Sequence, residues 1–211
     1  MSCPARLLTA LGVLLLAGCA ASGSDGDGLG AVAPLAARLP AQLADFQRVD
    51  DGQLATTPPS LVVRYRHPGT MTTATIFLRR GDDVSWPDGA ESPQIQAEVL
   101  ASTLAMVALL GNVPVARVPD YGLTPAGEQV PALRCTTVLV PLPQDAVRRE
   151  TVCAAGLNGN LVKVHISGMH PRERTEAAFR LFSSLALRVV FALREEAMPP
   201  PSGGNGPIYH L

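Results

Sequence analysis

The chain has 211 residues, 47% of them hydrophobic, with 17 Lys and Arg against 18 Asp and Glu for a formal net charge of −1. So even a balance excludes the broad basic field of a nucleic-acid-binding surface, and an aromatic content of 4% argues against a platform on which bases or sugars stack. The length beyond the first turns of apolar sequence suits one well-covered core rather than two.

The chain opens with Arg6 ahead of an apolar run, Leu7 to Ala17, that carries no charge. The run has the length of a signal-peptide core and falls short of the ~20 apolar residues a membrane-spanning helix needs. It ends in Leu16-Ala17-Gly18-Cys19. This resembles the lipobox of bacterial lipoprotein signal peptides. The resemblance implies residues 1–18 as a cleaved signal peptide and Cys19 as the lipid-modified first residue of a membrane-anchored protein. Ala20, where an aspartate favours inner-membrane retention in such lipoproteins, implies the periplasmic face of the outer membrane. Residues 19–33, rich in Gly, Ala, Ser and Asp without periodicity, read as the lipidated cysteine and a flexible linker. Residues 34–197 then form a single domain, and the Pro-, Gly- and Ser-rich 198–211 a disordered tail.

Within the domain, Ser60–Arg66 and Met71–Arg79 alternate as strands, and His67-Pro68-Gly69-Thr70 between them suits a type II turn. Ser92 and Pro93 make a helix N-cap and first position, and Gly111-Asn112 an end. From Val99 to Leu110 this helix is apolar nearly all round, which predicts deep burial against a sheet or at an interface. Val113–Val118, Ala132–Val140, Thr151–Ala155 and Leu161–Ser167 read as strands, the last two joined by a type I′ turn at Asn158-Gly159. A second helix runs from about Pro171 to Ala197 with an apolar stripe of Ala178, Phe182, Leu185, Val189 and Ala192. Leu187 and Phe191 fall off that stripe, which places them at the surface. Glu176 and Arg180 pair one turn apart.

The Asn158-Gly159 hairpin sets Cys153 opposite Val164, and a hairpin centred on the Pro141–Val147 loop sets Cys135 directly across from Cys153, so these cysteines can form a disulfide in an oxidising compartment; two free thiols are the alternative. Strands and helices do not alternate as βαβ units. The expected fold is therefore α+β, a mainly antiparallel sheet of about six or seven strands with two long helices packed on one face. This order resembles that of PsbP/Mog1-like domains. In sequence, Leu39-Pro40-Ala41-x-Leu43-x-x-Phe46-x-Arg48, Val63-x-Tyr65-x-x-Pro68-Gly69, Ala74-x-Ile76 and Trp86-Pro87-Asp88-Gly89 resemble small proteobacterial envelope proteins over the first third of the domain.

Alternation sends Arg64, Arg66, Arg134, Thr136, Lys163 and His165 to the face opposite the core. They form either a mildly cationic surface for an envelope protein or anionic envelope component, or the ordinary solvated face of a one-sided sheet. His67, His165 and His170 are not brought together by any spacing, so no metal site is expected, and no cofactor motif is present. Asp82, Asp83 and Asp88 read as turn formers, and Trp86 as a plug at the end of the core. No nucleophile elbow, zincin motif or phosphate-binding loop supplies a catalytic residue. A non-enzymatic binding or structural module is the leading expectation. A hydrolase-like site assembled from His165, Thr136 and His170 is the alternative.

Overall fold

The computed structural model describes residues 27–54, 59–81, 85–196 and 208–210; Cys19, Asp82 and Asp83 lie outside the described residues. Two short helices, α1 (Asp27–Gly30) and α2 (Ala33–Ala37), precede β1 (Gln42–Leu43), β2 (Phe46–Leu54), β3 (Ser60–Arg66) and β4 (Thr73–Arg80). Next come α3 (Pro93–Leu110), β5 (Ala116–Thr124), β6 (Leu133–Leu142), β7 (Ala146–Leu157), β8 (Asn160–Pro171), α4 (Thr175–Arg194) and β9 (Ile208–His210). The strands form one sheet in the order β1-β2-β3-β4-β8-β7-β6-β5-β9, antiparallel throughout. The α+β class and its antiparallel sheet are as expected. The strand count rises to nine because the two- and three-residue β1 and β9 add edges that no alternation could show.

Local chemistry sets the joints. Leu157 pairs with Asn160 across a two-residue turn whose Asn158 and Gly159 sit at φ 50° and 76°, the left-handed pair a type I′ turn needs. Cys135 pairs with Cys153 and Cys153 with Val164, and Cys135 and Cys153 form a disulfide. Ser92 caps α3 by accepting the Ile95 N–H, and Gly111 ends it. The turn after β3 is not type II. Gly69 avoids the left-handed region, because the His67 ring takes its N–H at Nδ1 and the His67 carbonyl takes that of Thr70.

The two long helices lie on opposite faces of the sheet, not together on one. Cys135, Cys153, Ala155, Val164 and Ile166 meet Phe182, Leu185, Val189 and Leu193 of α4 in the main core. Their sequence neighbours face the other way: Ala154 and Leu161 pack under Ile95 and Val99 of α3, and Val138 and Val152 under Met106. The result is a helix–sheet–helix sandwich.

The main core also draws in the chain's start. Val32, Leu35 and Ala36 are buried in it with Leu29 against it, and Arg38 donates to the Leu193 carbonyl at 2.8 Å. The fold thus begins ahead of residue 34, and the N-terminal helices share α4's face. Leu187 and Phe191 are buried here too, in the same cluster as Val32, Leu35 and Ala36. The Glu176–Arg180 pair forms. At the other terminus, Ile208–His210 pair with Gly122–Thr124, so the tail is not wholly unstructured.

Candidate functional site

The face beneath α3 carries the chemistry. Across it, cross-strand rows run Phe77–Lys163–Ala154–Arg134, then Thr75–His165–Val152–Thr136, then Thr73–Ser167–Glu150–Val138. α3 sits over Ala154, Val152 and Val138, so it divides these rows into two flanks. On the flank toward β4 a cleft of about 300 Å3 opens between helix and sheet. Its helix wall is Ser102, Ala105, Met106, Leu109 and Leu110; its sheet wall is Phe77, Val152, Lys163, His165 and Arg148.

Two carboxylates organise the charges. Glu98 and Ser102 project from one side of α3, four residues apart. Lys163 Nζ lies 2.8 Å from Glu98 Oε1 and 3.1 Å from Ser102 Oγ, and Arg79 Nη2 is 3.1 Å from Glu98 Oε2. Lys163 also sits over the Phe77 ring, and Arg79 over Trp86. Glu150, whose side chain is 2% exposed, accepts from Ser167 Oγ at 2.8 Å and from Arg148 Nε, and bonds His165 Nε2 at 2.8 Å. Burial is the largest influence on both carboxyls and pushes their pKa values up. Lys163, Arg79 and Ser102 around Glu98, and His165, Ser167 and Arg148 around Glu150, together outweigh it and hold both below the ordinary carboxylate range.

Donors are left over. Both oxygens of each carboxylate are engaged, whereas among the described residues Arg148, 45% exposed at its side chain, is bound only through Nε. The cleft therefore combines apolar walls, spent acceptors and a guanidinium fork still able to grip an anion.

The six residues expected to share this face do share it, yet they make no single open surface. Arg64 pairs with Asp50 at 2.8 Å, and Arg66 is exposed at the end of β3. Thr136 is fully buried and Arg134 emerges on the far flank of α3. Only Lys163 and His165 line the cleft. Glu98 and Glu150, which answer these cations, went unread. β7 extends to Ala146 rather than starting at Thr151, and one more step of alternation would have put Glu150 on the cationic face.

The geometry speaks to catalysis as well. Val152 separates His165 from Thr136 in their row, and His170 lies on the opposite face of β8, where its Nδ1 meets the Pro171 carbonyl. Ser167 and His165 both bond Glu150, and among the described residues no hydrogen bond joins them to each other. Ser167 thus bonds the Glu150 carboxylate directly rather than through the His165 ring. His67 stands edge-on to Phe46 in its turn. Trp86 packs on Ile95 and Leu161, and Asp88 accepts the Asn158 N–H at 2.6 Å, so both brace the β7–β8 hairpin.

Comparison with protein-family models, with curated proteins and with solved structures returns no match.

Proposed function

We propose that this chain is a non-enzymatic binding module, anchored through lipid on Cys19 to the periplasmic face of a bacterial outer membrane, that receives an apolar group with an anionic end in the cleft beside α3. The anchor rests on Leu16-Ala17-Gly18-Cys19 and on Ala20 after it. The binding reading rests on one observation, the cleft with Arg148 at its edge. At roughly 30 Å3 per water-sized group, its volume takes about ten such groups, the size of a short acyl chain.

The ligand reading is tested with decanoate, and with decanol as the uncharged control, by calorimetric titration of the purified full chain. Decanoate is expected to bind at least tenfold more tightly than decanol, and Arg148→Glu to remove that preference. Equal affinities, or an Arg148→Glu protein that still prefers decanoate, would overturn it. The anchor is tested separately by metabolic labelling with an alkynyl fatty acid, which Cys19→Ser should abolish.

A further inference from the structure

We infer that the outward face of α3 is a contact between two copies of this chain. The helix buries Ile95, Val99, Thr103 and Met106 against the sheet. Directly opposite run Ala97, Ala101, Leu104 and Ala108, spaced four, three and four, the interval of a seam between packed helices. Leu100 flanks them. Leu104 is 60% exposed and Leu100 44%, so this is a second apolar stripe on a helix whose first is already covered.

Charge selects the occupant. No charged side chain occurs from Val99 to Ala116. An acidic or basic partner would find nothing to pair with, while a two-fold contact lays the stripe on itself without bringing like charges together. The alanines let two helix axes approach to the short end of the usual 8–10 Å range. A membrane surface fits less well. Helices that lie in a lipid interface carry Lys and Arg along their polar side, and α3 has neither. Its placement argues the same way, in a step that rests on the anchor proposed at Cys19. The N-terminal helices share α4's face, and the chain from Cys19 to Asp27 spans at most about 28 Å fully extended. α3 lies across the sheet from that tether.

The cleft and the stripe occupy different sides of α3, so ligand binding and self-association are separable. The test is oxidative cross-linking of the full chain in the envelope of a bacterial host, read on a non-reducing gel with mass identification. Leu104→Cys is expected to give a linked species of twice the chain's mass. Arg180→Cys, on the exposed side of α4, is expected to give at least tenfold less. Adding Leu104→Glu to a Leu100→Cys chain should abolish linkage while the melting temperature holds, since residue 104 is solvent-facing. Equal linkage at both positions, linkage only to other proteins, or linkage that survives Leu104→Glu overturns the inference. So does quenching of a dye at position 104 by spin-labelled lipid. If Cys19 proves unlipidated, the same linkage measured on purified chain across a concentration series still decides the contact.

Discussion

Glu150→Ala removes the acceptor on which Arg148, His165 and Ser167 converge. Hydrogen bonds to a charged group contribute about 1.5–3 kcal/mol each. Their sum overstates the loss, because the His165 and Arg148 side chains are 34% and 45% exposed and can rehydrate. A net cost of about 2–3 kcal/mol follows, or roughly 5–10 °C in Tm for a domain of this size. Acid supplies a second reading. Because Glu150 is held below its ordinary pKa of about 4.3, the unfolded chain takes up that proton first as pH falls. The carboxylate's contribution is complete above the ordinary value and is lost as pH drops through the lower, folded one. Urea unfolding of the wild type and of Glu150→Gln at pH 7 and pH 3 isolates it. Glu98 is shifted the same way and lowers both curves alike, so only the difference between them reports Glu150. That difference should be narrower at pH 3 than at pH 7. An unchanged Tm for Glu150→Ala at pH 7, or a gap as wide at pH 3 as at pH 7, would refute the hub.

Joint replacement of Cys135 and Cys153 by alanine should cost about 3 kcal/mol in urea unfolding, the value for a closed loop near their separation of 18 residues. A loss under about 1 kcal/mol would mean that the hairpin alone fixes this pairing. At Gly156 an added Cβ would meet the Pro87 carbonyl oxygen at 1.8 Å, where Gly89 and Gly156 exchange backbone hydrogen bonds. Gly156→Ala should therefore cost about 2 kcal/mol and lift the loop bearing Trp86, red-shifting the chain's single tryptophan. Unchanged fluorescence would show that the loop is not clamped there.

Where local rules govern, the sequence was a sufficient guide. Asn158-Gly159 sets the register of β7 on β8, Ser92 and Gly111 delimit α3, and alternation in β6 and β8 names the core side correctly. Failures came where a distant element decides. Leu187 and Phe191 lie off one stripe of α4 but are covered by elements far away in the chain. Gly69 has the residue type for a left-handed turn, and a neighbouring imidazole chose another conformation.

The placement of α3 is the instructive miss, because it governs the site. An amphipathic helix declares its buried side by its polar one, and a helix apolar all round declares nothing. The deciding signal lay in the sheet instead. Val62, Phe77, Val138, Val152 and Ala154 point away from the main core, too many apolar residues for a face left in water. Covering part of that face brings Glu98 and Ser102 down onto Lys163, and it shelters Glu150 enough for its three donors to matter. It also turns a sheet surface into a bounded cleft. The same requirement leaves the reverse side of α3 apolar, with Leu100 and Leu104 uncovered by any of the described residues. A helix that needed only to cap the sheet would have charges at Leu100, Ala101 and Leu104; that it has none is the physical reason to seek a second body there.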